Sequence, residues 1–191
     1  MNLSFEYLSG IFREIETRDE NLALATEIVR QNSNGKIWLV GGAVYRNLIR
    51  EIYGGKEAKT DFDFIVEEEK EVITLPENWA RLENHFGNPK LVGKFEIDFV
   101  PLKKVYSIIR RSLEPLIENY LNCVPLNIHS IAYSIDDRRI VGEIGRKSLE
   151  ERVVRINDLE MAREAAKKYV ISVNNLIKEK AEDIGFGFEL I

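Results

Sequence analysis

Thr60-Asp61-Phe62-Asp63-Phe64-Ile65-Val66 is the stretch whose reading decides the fold. Acidic and apolar residues alternate from Asp61 to Glu67, as they do along a half-buried strand. Residues two apart on a strand point to the same side, so Asp61 and Asp63 face one way while Phe62 and Phe64 enter the core. Two parallel carboxylates with no basic neighbour repel each other. A divalent cation removes that repulsion, and hard oxygen ligands suit Mg²⁺ or Mn²⁺. An isolated Asp-x-Asp is also what the solvated edge of a sheet presents, so the pair needs support from elsewhere in the chain.

Two further pieces supply it. Upstream, Leu39-Val40-Gly41-Gly42-Ala43-Val44 reads as a strand running through a glycine pair into a helix. Glycines there let a backbone approach a phosphate, and the helix N-terminus offers free N–H donors and the positive end of a dipole. Downstream, Phe95-Glu96-Ile97-Asp98-Phe99-Val100 alternates again, with Glu96 and Asp98 on one face. If this strand lies beside the first, Asp98, the acid deeper in the apolar run, completes a three-carboxylate cluster. Two cations held there would bridge a triphosphate and an attacking hydroxyl.

The rest of the chain frames these pieces. Apolar spacing predicts two helices over 5–30, broken near Arg18-Asp19, then a loop at Asn32-Ser33-Asn34-Gly35 and a short strand over 37–40. A helix is expected over 43–53, ended by Gly54-Gly55, and another over 77–86 behind Pro76. Residues 90–100 read as a hairpin turning at Gly93-Lys94, 105–113 as a helix, and 128–143 as a hairpin turning at Asp136-Asp137. One long helix is expected over 158–182. The implied fold class is α/β (α+β): a small mixed sheet flanked by helices over 1–157, with a C-terminal helical arm over 158–191.

The chain has 191 residues, of which 45% are hydrophobic and 31% charged, an ordinary globular balance large enough to bury a core without staples. The one cysteine, Cys123, can form no internal disulfide, and no apolar run approaches the roughly 20 residues that span a bilayer. No signal peptide is evident over 1–18, and a cytoplasmic location is expected. The net charge of −5 argues against an extended grip on nucleic acid. Lys103, Lys104, Arg110 and Arg111 form a local basic strip that reads as a solvated face.

A glycine pair at a strand–helix turn, then Asp-x-Asp, then an acid on a later strand resembles the polymerase-β nucleotidyltransferase superfamily. The likeness is greatest to the head domain of bacterial-type tRNA CCA-adding enzymes and poly(A) polymerases. It runs through Leu39 to Leu48 and Thr60 to Val66, and extends to Ile131-Ala132-Tyr133 and the segment from Ser148 to Arg155. The resemblance implies Asp61 and Asp63 as ligands of catalytic Mg²⁺ or Mn²⁺, and Asp98 as the third carboxylate, helping to activate the acceptor hydroxyl. It implies Gly41, Gly42 and Arg46 as nucleotide-binding positions, and transfer of a nucleoside monophosphate from an NTP to a hydroxyl. This chain departs from the family pattern in two places. Tyr45-Arg46-Asn47 stands where the family has Arg-Asp after Gly-Gly-x-Val. Cys123-Val124-Pro125-Leu126-Asn127 stands where it has Arg-Arg-Asp-x-Thr. Full CCA addition is therefore not expected. A nucleotidyltransferase acting on a small molecule, a protein or an RNA end stands beside a degenerate binding or regulatory module.

Among the remaining residues, His129 is expected to be a hydrogen-bonded structural histidine, His85 a capping or exposed one, and Cys123 an inert buried thiol. Trp38 is expected in the core, and Phe186 and Phe188 are expected to pack the C-terminus onto it.

Overall fold

The computed structural model describes residues 3–54, 61–83 and 87–191. Helix α1 (Phe5–Arg18) is capped by the Ser4 side chain and ends at Asp19, whose carboxylate in turn caps α2 (Glu20–Asn32). The expected break thus falls at the one residue that can both stop the first helix and start the second. Strand β1 (Ser33–Val40) follows at once. The Asn32 to Gly35 segment is therefore not a loop: Asn32 ends α2, the strand absorbs the rest with a bulge between Asn34 and Ile37, and Gly35 takes a φ of 72°.

Helix α3 (Gly42–Tyr53) starts directly after Gly41, and strand β2 (Asp61–Glu69) carries the two aspartates. The helix expected over 77–86 is not formed by residues 77–83, and 84–86 lie outside the described residues. Pro76 to Trp79 make a turn, and β3 (Ala80–Glu83) pairs antiparallel with β4 (Pro89–Val92), which pairs in turn with β5 (Glu96–Pro101). The Trp79 indole lies over Gly93 and meets Phe95 edge-on at 5.1 Å, so the turn is held by tertiary contact rather than helical hydrogen bonds.

A 3₁₀ turn (Leu102–Lys104) leads into α4 (Tyr106–Arg110) and α5 (Ile117–Asn122). The hairpin expected over 128–143 is shorter: Asn127–His129 form a 3₁₀ turn, and strands β6 (Ala132–Ser134) and β7 (Arg139–Val141) pair, followed by α6 (Glu143–Glu151) and β8 (Val153–Val154). The long helix expected over 158–182 is two helices, α7 (Leu159–Tyr169) and α8 (Val173–Ile184), separated at Val170 in the left-handed conformation. A final strand, β9 (Gly187–Phe188), runs parallel to β8.

The main sheet has the order β3-β4-β5-β2-β1-β6-β7, and only β2 and β5 are parallel neighbours. One face carries Leu39, Phe62, Phe64, Ile97, Phe99 and Tyr133 into the larger core, built with α1, α2 and α3 and shared with Ala162, Ile177 and Ala181 of the arm. The other face carries Trp38, Val40, Ile65 and Ala132 into a smaller cluster roofed by α4 and α5. This division follows from the alternation read in the sequence. Each buried aromatic or aliphatic side chain contributes on the order of 1.5–3 kcal/mol, which locks the register of β2 and with it the direction of its acids. Phe186 is buried, whereas Phe188 is 42% exposed, so the tail packs through one aromatic and not both.

Candidate functional site

The parallel pairing of β2 with β5 sets the positions of the acids. Asp61 lies opposite Glu96 and Asp63 opposite Asp98, so all four carboxylates lie on the face of the smaller cluster. Across the other edge of β2, Val40 is the partner of Asp63, and the chain leaves β1 one residue later at Gly41. The sheet thus brings the end of β1 and the beginnings of β2 and β5 together, and the glycine turn and the acids, far apart in sequence, become neighbours.

Gly41 is there for a geometric reason. Its φ of 68° and ψ of −149° lie where only glycine is comfortable, and a Cβ on it would sit 2.8 Å from Asp63 Oδ2. Gly42 is different: a Cβ there would meet nothing nearer than Arg46 Nε at 3.5 Å, ordinary contact. No side chain caps the N-terminus of α3.

Two cavities flank Asp63, one of about 640 Å³ and one of about 760 Å³, and they share Gly41, Asp63, Tyr120, Val124 and Pro125. Asp63 is an exposed residue that lines both cavities. Desolvation there, followed by the charges of Asp98 and Asp61, pushes its pKa up to about 6, with Lys90 and Lys168 opposing. Asp98 and Lys90 line the smaller cavity, where Lys90 holds Glu96 at 2.5 Å and reaches Asp98 at 4.0 Å. Among the described residues, no three acidic, histidine or cysteine side chains converge as a ready-made metal-binding group. The fold therefore places Asp61, Asp63 and Asp98 on one face, with a lysine among their neighbours, without drawing them into a closed cluster.

Arg46 does not reach toward this centre. It is bound in a forked pair by Asp183 of α8, which raises its pKa against the opposing effect of burial. Lys180 joins the same group, 3.2 Å from the Tyr45 hydroxyl and 3.5 Å from Asp183. His129 lies against the Tyr45 ring at 5.7 Å and lines the larger cavity. Burial, then Lys180 and Arg46, lower its pKa to about 3, so it stands neutral at ordinary pH. Cys123 is buried, as expected, with Arg111 Nη1 3.3 Å from its sulfur. His85 and Thr60 lie outside the described residues.

Two residues at the cleft carried no signal in the sequence. Tyr120, from the short helix α5, forms the wall between the cavities, and burial followed by the Asp63 charge raises its pKa. Lys168, from the last turn of α7, lines the smaller cavity. Both come from segments of ordinary composition, and only the packing of α5 and α7 around the sheet brings them in.

The basic strip is neutralised by the chain itself. Lys103 pairs with Glu68 at 3.6 Å, Lys104 with Glu69, Arg110 with Glu160 at 2.8 Å, and Arg111 with both Asp158 and Glu160. No helix among the described residues is long and apolar enough to cross a membrane.

No protein-family model matches the sequence, and no curated protein is significantly similar to it. Comparison of folds does find relatives. A CCA-adding enzyme in complex with ATP superposes with a TM-score of 0.60 at 17% identity, over 92% of this chain and 41% of that one. An apo tRNA-processing enzyme superposes with a TM-score of 0.57 at 18% identity, over 90% and 44%. The Thermotoga maritima CCA-adding enzyme complexed with tRNA gives 0.50 at 18% identity, over 80% and 35%. The chain thus spans less than half the length of these structures. At such identities the likeness is one of fold: this chain is folded like part of the CCA-adding and tRNA-processing enzymes.

Proposed function

We propose that the protein is a divalent-cation-dependent nucleotidyltransferase that moves a nucleoside monophosphate from an NTP to a hydroxyl acceptor. The observation that carries this reading is the register of β2 and β5, which aligns Asp63 with Asp98 on one face beside the Gly41 turn, at the wall shared by two cavities. The donor set fits Mg²⁺ or Mn²⁺: hard carboxylate oxygens, a pKa on Asp63 raised by desolvation and then by the charges of Asp98 and Asp61, and a glycine that leaves Asp63 Oδ2 uncovered by any Cβ. Asp61 and Asp63 would hold the cation, with Asp98 the third carboxylate. Lys90 is the residue with which the cation would compete for Asp98. When bound, the metal supplies charge neutralisation for the phosphates.

The chain's own residues do the rest. The backbone at Gly41 and Gly42 and the uncapped start of α3 receive the phosphates. Asp98 orients the acceptor hydroxyl and takes its proton. The acceptor oxygen bonds to the α-phosphorus while the bond from that phosphorus to the bridging β-oxygen breaks, and pyrophosphate leaves with the electron pair. Positioning and electrostatics supply most of the rate in such transfers.

A second reading, a binding module without turnover, is favoured by two specific observations. Arg46 is occupied by Asp183, and the Cys123 to Asn127 segment carries no arginine. One experiment separates the two. Thermal unfolding is recorded with ATP, CTP, GTP and UTP, with and without Mg²⁺, alongside an assay for pyrophosphate release. A Mg²⁺-dependent rise in Tm that disappears in Asp61→Ala/Asp63→Ala supports the site, since a ligand that binds only the native state stabilises it by mass action. Pyrophosphate release then supports the transferase, whereas a shift without release supports the module. A double variant that binds nucleotide like wild type overturns both.

A further inference from the structure

We infer that the Asp98 side of the cleft is an acceptor pocket for a small, largely apolar molecule bearing a hydroxyl group, and not for the end of a nucleic-acid chain. The inference rests on the nucleotidyl-transfer reading and adds the class of the second substrate.

The two cavities are chemically unequal. Both reach Gly41 and Asp63, but only the larger contains Gly42, at the start of α3, together with Lys180 and His129. Only the smaller contains Asp98. A displacement at phosphorus requires the attacking and leaving oxygens to lie roughly in line on opposite sides of the reacting atom. Two lobes meeting at Asp63 provide that arrangement. The lobe with the glycine turn and the helix N-terminus suits the triphosphate, with Lys180 on its wall beside Glu179 and Asp183, and the lobe with Asp98 suits the acceptor.

The walls of the smaller lobe define what fits. Away from Asp63 and Asp98 it is built largely from Val100, Val105, Tyr106, Val124 and Met161, with the buried Asn88 and Ser107 as polar groups among them. A volume of about 640 Å³ lies within the usual range for a small-molecule site, and a wall of this kind binds by burying apolar surface. Lys90 and Lys168 reach the lobe, where they face Asp63 and Asp98, and Lys90 is already paired with Glu96. A polynucleotide would also need cations along its approach to neutralise successive phosphates. On the Leu102–Lys104 turn and at the end of α4, Lys103, Lys104, Arg110 and Arg111 are each paired with a carboxylate of this same chain, while α7 adds Arg163 and Lys167. The side of the rim formed by that turn and α4 therefore offers a polyanion little net positive charge.

The test compares two probes on the full chain with Mg²⁺ and a non-hydrolysable ATP analogue. They are 2-naphthol, an aromatic hydroxyl followed by its fluorescence, and a single-stranded RNA of about 12 nucleotides, long enough to occupy a typical single-strand groove. Saturable naphthol binding is expected, weakened about tenfold, or roughly 1.4 kcal/mol, by Met161→Trp, which fills the lobe from its partly exposed wall. Ser107→Phe, which fills it from the buried side, should act in the same direction. Far-ultraviolet circular dichroism and Tm establish that each variant is folded. The RNA is expected to bind weakly, with little dependence on salt. Naphthol binding unaffected by either folded variant, or tight RNA binding that falls steeply with salt, would overturn the inference. The nucleotide analogue is titrated separately. Its failure to bind wild type counts against the transferase reading, whereas the naphthol and RNA results judge the pocket.

Discussion

Asp63 is the residue on which the site turns, and its titration makes a signed prediction. Its pKa is about 6 in the fold against 3.8 for an ordinary aspartate. Between these values the native state binds the extra proton, so the charged carboxylate costs stability as pH rises through that window, and the full cost is present above about pH 6. In a metal-free buffer Asp63→Asn should therefore melt higher than wild type at neutral pH, with the difference fading below pH 4. A variant less stable than wild type by the same margin at both pH values would contradict this. Gly41 and Gly42 make a second comparison at this scale. Gly41→Ala meets both an unfavourable backbone region, costing about 1–3 kcal/mol, and the Asp63 carboxylate. Gly42→Ala meets only ordinary contact. The first should lower Tm and weaken nucleotide binding and the second should leave Tm nearly unchanged, as thermal melts of the two variants would show.

At the scale of elements, the informative case is the break between α7 and α8. Val170 has a φ of 58° and is 90% exposed, so a β-branched residue holds a left-handed helix cap with no packing in return. Val170→Gly should raise stability by about 1 kcal/mol, measured by denaturant unfolding, because glycine takes this conformation without the Cβ penalty. The break was not legible in the sequence because the apolar spacing runs through it and valine is a poor signal for a cap. Strand β3 was missed for a related reason. Ala80 to Glu83 are all exposed, so no alternation marks them, and pairing with β4 decides their conformation. By contrast, β2 and β5 were legible because each buries one face, and burial imposes the period of two. The same logic explains what could be read of the candidate site. The faces of Asp61, Asp63 and Asp98 follow from alternation, but the capture of Arg46 by Asp183 depends on how a distant helix docks, and local spacing carries no trace of that.

At the scale of the whole molecule, the arm is tied back across the cleft at both ends. Arg111 holds Asp158 and Glu160 at the start of α7, and Arg46 holds Asp183 near the end of α8. These pairs are partly exposed and therefore screened by salt. Raising ionic strength should speed hydrogen exchange in α7 and α8 while leaving the amides of β1 and β2 protected, which exchange followed by mass spectrometry can resolve. Equal acceleration in both regions would show that the ties do not act locally. The parallel pairing of β2 with β5 has a different consequence, for the making of the molecule. A slip of one residue between these strands would turn Asp98 to the opposite face and leave Asp63 facing an apolar neighbour. A misregistered chain would then have no centre to offer. On the proposed reading, a cation or nucleotide bound at the acids would stabilise correctly paired molecules and no others, and so would arbitrate strand register while the chain folds.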